Sequence, residues 1–353
     1  MRVNPGWRAR LTAWQWYEIA TAEIATVGPN YNPGAALNGG SKRNRVDAWN
    51  GIAVVDSSVY MAGVGGHADY GGNEGYGCNL AAEAPVWVML NQPTPDAQIA
   101  LNASHYADGR PTSSHTYYAL HGDWKRKKIF RMGTGVTYGN GNWSFANVDA
   151  FDIAARDWDR ASQWPSVPEQ PSYGNAQVQH PDTGDIYVVG NTRLWRFSQS
   201  EGAWLQLAAI PQNGTAAYGR ATVVDSRRNR LVVLGNAYRT PVGILIYDLL
   251  NNRWDDSAFM TGADASKVGS YLGNCGHHNL AIDKYIIKTD NAGEVLTVDP
   301  NNYSVGRLTT IGGDSIPAAV NRVWGKFAAI PALGGYVYQP SGVDKLWFLA
   351  GPN

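Results

Sequence analysis

One spacing constrains this chain more than any other: an aromatic residue followed seven positions later by tryptophan, three times over. Phe151 precedes Trp158, Phe197 precedes Trp204 and Tyr247 precedes Trp254. Each aromatic lies in a β-prone segment, at 148–153, 194–198 and 244–249. A second pattern recurs just upstream: a large apolar residue, two more residues, then glycine. It appears as Tyr60 to Gly63, Phe130 to Gly133, Tyr187 to Gly190 and Val232 to Gly235. Tyr285 and Tyr336 open the same segment without the glycine. These six starts lie 45 to 70 residues apart, the period of propeller blades with insertions in the early units. An aromatic and a tryptophan at fixed spacing across a hairpin point to one core, where each buried ring contributes roughly 2–3 kcal/mol.

Residues 47–91 are the clearest unit. Strands are expected at 50–55, 59–64, 76–80 and 85–90, the last centred on Trp87, with a tight turn at 56–58 and a glycine-rich loop at 65–74. The expected fold is all-β: a six-bladed β-propeller of four-stranded antiparallel blades in one domain. The blades fall at about 47–91, 115–162, 174–210, 217–259, 276–311 and 322–351. The last holds only three strands, and the Trp-bearing run 13–20 is expected to complete it, closing the ring and hiding two sheet edges. A seventh blade would have to come from 92–114 or 260–276, and neither reads as four strands.

Composition narrows the function classes. The 29 basic and 29 acidic residues cancel, which argues against nucleic acid and against a polybasic membrane surface as partners. No run of about 20 apolar residues exists, so membrane insertion is not expected. The N-terminal segment lacks an uninterrupted apolar core, so the protein is expected to be soluble and made in the cytoplasm without a signal peptide. Two cysteines are too few for a disulfide framework. Neither a nucleophile elbow, a P-loop, an H-E-x-x-H helix nor a CxxC pair is present, and no cofactor is expected.

In a propeller the loops between second and third strands share a face with the blade-to-blade connections. That face here receives the long segments 65–74, 134–143, 92–114, 163–173 and 260–276, and with them His67, His105, His115, His277 and His278. Long loops on a rigid scaffold are where sites are built. The opposite face receives short turns at 56–58, 181–184 and 225–229, and the KRKK turn at 125–128. The first residues of the innermost strands are expected to ring the channel mouth: Asn50, His115, Asn175, Arg220, His278 and Lys326, with Tyr117, Arg110, Asn279 and Trp324 nearby. Cationic donors, amides and aromatics with few acids suit an anionic or polyhydroxylated ligand.

The segment GGHADYGGNE (65–74) followed by GRPTSSHTY (109–117) resembles kelch-like, galactose-oxidase-type β-propellers of bacteria and bacteriophages. The resemblance covers roughly 47–351. It implies a propeller without a uniform function. The chain departs from galactose oxidase itself: Cys78 aligns with Phe151 and Phe197 in the third-strand core slot, so no copper radical site and no metal is expected. The reading that joins these features is a recognition module for a cell-surface glycan, placed in a virion as a phage tail component beside other virion proteins.

Each candidate residue has a plainer alternative. His67, Asp69 and Tyr70 are ligand contacts or a metal ligand pair, though two ligands are too few to name a metal, or a loop held by its own side chains. His115 as base, Tyr117 as proton donor and Arg110 as carboxylate neutraliser would make a uronate β-elimination site, similar to some propeller polysaccharide lyases. The alternative is a loop-anchoring arginine beside a satisfied histidine. Cys275, His277 and His278 lack a fourth zinc ligand, and neighbouring strand residues point to opposite faces. Arg220 and Lys326 are ligand donors, or merely solvated or salt-bridged at the channel mouth. A third class of function is a structural docking protein that binds no glycan.

Overall fold

The structure is a computed structural model that describes residues 2–28, 43–133, 135–169, 174–211, 218–236, 240–255, 258–270 and 272–352. Its first strand, β1 (Trp16–Glu23), finds its partner at the other end of the chain. It runs antiparallel to β24 (Lys345–Ala350), with Trp16 opposite Leu349 and Ile19 opposite Leu346. β1 starts three residues later than the sequence suggests, because Trp14 takes a left-handed backbone (φ 62°) that no strand accommodates.

Six sheets of four strands make the blades of the propeller. Blade I holds β2 (Ala53–Val55), β3 (Ser58–Ala62), β4 (Gly75–Asn79) and β5 (Trp87–Met89). Blade II holds β6 (Leu120–Asp123), β7 (Lys128–Met132), β8 (Val148–Asp152) and β9 (Asp157–Trp158). Blade III holds β10 (Gln177–Gln179), β11 (Ile186–Val189), β12 (Arg193–Ser198) and β13 (Ala203–Ala209). Blade IV holds β14 (Ala221–Asp225), β15 (Arg230–Asn236), β16 (Thr240–Asp248) and β17 (Arg253–Asp255). Blade V holds β18 (Cys275–Asn279), β19 (Lys284–Lys288), β20 (Val295–Val298) and β21 (Val305–Arg307). Blade VI holds β22 (Phe327–Ile330), β23 (Gly335–Tyr338), β24 and, from the N-terminal end, β1. The described residues of 92–114 and 260–276 form no further sheet; a short helix, Ala265–Ser270, lies in the second.

The turns explain why each blade is a meander. In all six, a left-handed residue stands just before the second strand: Asp56, Lys127, Gly184, Asn229, Asp283 and Gly334. Asp, Asn and Gly tolerate that conformation best. Lys127, in the KRKK turn, gains an ion pair to Asp56 of the neighbouring blade at 2.6 Å.

The cores lie between blades rather than within them. Phe151 stands opposite Trp158, Phe197 opposite Trp204 and Tyr247 opposite Trp254, with ring centroids 5.5, 5.2 and 5.2 Å apart. Cys78 occupies the same slot in blade I, opposite Trp87, and is buried. Blades II and III share Phe130, Val188 and Phe197; blades IV and V share Val223, Leu234, Tyr285 and Ile287. Buried Arg131 ties blade I to blade II by donating to the carbonyls of Gly63 and Thr112 and to Asp149. Burial alone would raise the Asp149 pKa, but Arg131 and His105 outweigh it and hold the carboxylate below its ordinary value.

Candidate functional site

The propeller axis is organised by one backbone position, repeated six times. Just ahead of each inner strand sits a residue with positive φ: Trp49, Tyr117, Gly174, Gly219, Gly273 and Trp324. Their peptide groups bond around the axis. Gly219 N donates to Gly174 O (2.8 Å), Gly273 N to Gly219 O (2.7 Å) and Trp324 N to Gly273 O (2.5 Å). On the other side, Gly325 N donates to Tyr117 O (3.1 Å) and Tyr117 N to Trp49 O (2.8 Å). The Trp324 indole lies across the middle, buried, with ring centroids 4.8 Å from Tyr117, 5.3 Å from Tyr118 and 6.1 Å from Tyr218. The Tyr118 hydroxyl donates across the axis to Asn274 O. The channel is therefore plugged at its loop-rich end.

This register corrects the expected ring. The residues that follow the six positive-φ positions are Asn50, Tyr118, Asn175, Arg220, Asn274 and Gly325. His115 lies three residues too early and Lys326 one too late. His278 lies four residues too late, because β18 begins at Cys275. Its buried imidazole is at the far end of that strand, 3.0 Å from Asp283 and 3.4 Å from Asp225, on the face of the short hairpins. His277 lies within β18 rather than on a loop, bonding the Phe327 carbonyl of the neighbouring inner strand at 3.0 Å. Asn279 donates to the Tyr336 hydroxyl.

The remaining polar ring members hold backbone. Asn50 donates to Asn44 O and accepts from Thr116 N; Asn175 donates to Val189 O; Arg220 donates to Gly269 O. Lys326 is fully buried and donates to the carbonyls of Val320 and Arg322, in the segment that carries Trp324. Burial pushes its pKa down to about 7. Arg110 lies out by β9, paired with Asp157 at 3.0 Å and donating to Gln92 O, so it is not brought to His115. Tyr70 is buried with its hydroxyl on Glu74.

Three expected residues do converge, at the corner of blades I and II. The loops 65–74 and 134–143 are laced to each other and to 112–117: Val64 and Tyr138 are bridge partners of Ser114 and His67, and Ser114 also bridges Thr137. Gly66 is required here, at φ 88°, since a Cβ would meet Val136 O and His115 N at 2.2 and 2.4 Å. The lacing brings Asp69 Oδ2 to His115 Nε2 at 2.8 Å. A carboxylate accepts, so Nε2 carries the proton and Nδ1 faces the Tyr117 hydroxyl at 3.5 Å. Burial lowers the His115 pKa while Asp69 opposes the shift. The result is an acid–imidazole–phenol chain with neutral histidine, packed on Trp49 at 4.9 Å. His67 (φ 44°) lies 6.2 Å from His115, and its imidazole makes no side-chain hydrogen bond within the described residues. Trp143, in the loop laced to His67, is 54% exposed. Thr137 joins the two, its carbonyl accepting from His67 N (2.9 Å) and its N–H donating to Trp143 O (2.8 Å). Among the described residues, no group of three or more His, Cys, Asp or Glu is placed to hold a metal ion.

Below the plug lies a cavity of about 540 Å³, which sequence reasoning missed. It is lined by the inner strands and opens among the first hairpins, at Asp56, Trp124, His180 and Pro331. Its polar lining includes His121, Gln177, Gln179, Thr222 and His277. The available signal was Gln177 and Gln179 on one side of a three-residue strand, polar where an inner strand should be apolar.

No model of a known protein family matches this chain, and no curated protein sequence matches it. Among solved structures it is similar to that of YjhT, with a TM-score of 0.51 and 12% sequence identity, over 75% of this chain and 84% of that one. At that identity the likeness concerns the six-bladed fold.

Proposed function

We propose that this chain is a recognition propeller that binds a polyhydroxylated, glycan-type ligand on the loop-rich corner of blades I and II. The observation that carries this reading is the exposed Trp143, whose backbone is tied through Thr137 to that of His67, in the laced loops that also hold the Asp69–His115 pair. A flat aromatic stacks on the apolar face of a sugar, while nearby imidazole and carboxylate groups take its hydroxyls. The burial of Arg220 and Lys326 on backbone carbonyls favours a neutral glycan over an anionic one. The virion setting, with a cell-surface glycan as target and other virion proteins as neighbours, belongs to the same proposal. No helix among the described residues is long and apolar enough to cross a membrane.

Screening the full chain against immobilised neutral and acidic glycans tests this. We expect retention that Trp143→Ala and His67→Ala each weaken about tenfold, or roughly 1.4 kcal/mol. Retention unchanged by Trp143→Ala would falsify the placement. Capture of a tail protein without any glycan would favour the docking role instead.

The Asp69–His115–Tyr117 chain supports a second reading, a lyase that removes the proton beside a uronate carboxyl. Against it, Arg110 is paired elsewhere. Absorbance from an unsaturated uronate, lost in His115→Ala, would establish that activity; its absence with every uronate polymer removes it.

A further inference from the structure

The axial cavity is a site in its own right, separate from the loop-rich corner. Its walls are the inner strands of all six blades. Each of these strands is hydrogen-bonded to a neighbour on one side only, so its other edge turns N–H and C=O groups toward the axis. Some of those groups are already taken: His277 Nε2 donates to Phe327 O, Gln179 donates to Gly122 O and Cys275 Sγ lies 3.0 Å from Phe327 O. His121 Nε2 faces Gln177 Oε1 at 3.3 Å, and an amide oxygen only accepts. In both histidines Nε2 therefore carries the proton, and Nδ1 is an acceptor without a hydrogen-bond partner among the described residues. Burial keeps both rings neutral, lowering His277 and taking His121 down to about 4.

Among the described residues, no charged side chain other than Asp56 and Arg2 lines the cavity. Asp56 and Arg2 stand at the mouth, and Asp56 is paired with Lys127. A charged ligand would lose its hydration here with no counter-charge in the interior to offset the loss. Val54, Leu120, Val178 and Ala328 supply apolar surface between the polar groups. The volume falls in the range of small-molecule sites, roughly 300–1,000 Å³. Strand edges that both donate and accept, with two fixed imidazole acceptors, match hydroxyl groups, which do both as well.

We infer that the axial cavity binds a neutral, polyhydroxylated molecule of monosaccharide size, which enters from the face of the short hairpins. The loop-rich end is closed to it by Tyr118, Gly325 and the overlying Trp324.

Thermal shift and calorimetry on the full chain test this with methyl α-glucoside, N-acetylglucosamine and myo-inositol, set against glucuronate and glucosamine. At least one neutral probe should raise Tm in a dose-dependent way, and the charged probes should not. Ala328→Trp, which fills the cavity, should remove the shift, and His277→Phe should weaken binding at least tenfold. Trp143→Ala should leave it unchanged, which separates this site from the glycan reading of the loop-rich corner. Because a filled cavity can also unfold the chain, the wild-type imidazole nitrogen resonances provide a second measurement. The Nδ1 signals of His121 and His277 should move on adding the neutral probe, while that of His115 stays. The inference falls if no neutral probe shifts Tm, if charged and neutral probes act alike, or if Ala328→Trp folds and still binds. It falls equally if the His121 and His277 signals do not respond.

Discussion

Blades III, IV and V reach the axis on glycine; blades VI, I and II reach it on Trp324, Trp49 and Tyr117. The backbone does the same thing in all six, with φ between 46° and 78°. The glycines are therefore not explained by backbone angle alone. Crowding explains them: a Cβ on Gly219 would meet Leu272 at 2.9 Å and one on Gly174 would meet Tyr218 at 2.8 Å, and two of the three would also meet the Trp324 ring. A Cβ on Gly273 would lie 3.1 Å from the Trp324 ring and 2.8 Å from Arg322, and one on Gly174 would lie 3.3 Å from Trp324. One half of the ring supplies the plug and the other half leaves room for it. The aromatic half accepts a left-handed cost of about 1–2 kcal/mol at each residue. That same half carries His67, also left-handed, and the Asp69–His115–Tyr117 chain. Left-handed aromatics at the axis and the candidate polar corner coincide there, whereas the glycine half reaches the axis on glycine.

The largest effect should come from removing the element that divides the halves. Trp324→Ala deletes a fully buried indole and is expected to destabilise by about 3–5 kcal/mol, read by denaturant midpoint. Gly273→Ala should cost about 1–2 kcal/mol in the wild type and less in the Trp324→Ala background, because one of the two side chains it would crowd is gone while Arg322 remains. Strict additivity of the two would mean that the glycine half is set by backbone strain and not by the plug.

The halves also differ in how readily the sequence discloses them. Blade cores were legible because burial forces a period: Phe151–Trp158, Phe197–Trp204 and Tyr247–Trp254 each pair across a hairpin as their spacing requires. The closing strand was legible for the same reason, though Trp14 displaced its start. Blades I, III and IV were placed in register, since Asn50, Asn175 and Arg220 directly follow Trp49, Gly174 and Gly219. The register slipped in blades II and VI, where an aromatic stands in the glycine position, and a left-handed tyrosine or tryptophan leaves no local signal. In blade V it slipped past Gly273 itself: the adjacent histidines drew the strand start four residues too far. Arg110, Arg220 and Lys326 looked like ligand donors because a sequence shows charge but not the carbonyls that absorb it. The cavity stayed hidden because strand edges line it, and backbone groups have no letter.

A smaller effect tests how the plug is held. Lys326 braces the Trp324 segment from inside, and burial takes its pKa to about 7; Lys288, likewise buried in blade V, is also lowered to about 7. Both lie below the unfolded value of about 10.4, so above pH 7 the unfolded chain binds more protons than the folded one. Stability should therefore rise from pH 7 to pH 8.5, by on the order of 1 kcal/mol per pH unit for each lysine. In Lys326→Met the rise should be shallower, whatever the absolute loss from its freed carbonyls. A flat or falling profile in the wild type would show that neither amine is desolvated as placed.

The smallest energetic effect carries the most about function. Asp69 is about a third exposed, so Asp69→Asn should change stability by less than about 1 kcal/mol. Its effect on His115 should nevertheless be plain. Both the hydrogen bond and the charge of Asp69 favour the imidazolium, against burial, which disfavours it. Without them His115 should titrate at lower pH, followed by its ring-nitrogen resonances, and the tautomer that points Nδ1 at Tyr117 should lose its support. If the aromatic half is a binding corner, glycan retention falls in Asp69→Asn while the melting curve stays. An unchanged His115 titration with unchanged retention would reduce that half to a plug, and the contrast with the glycine half would then concern packing alone.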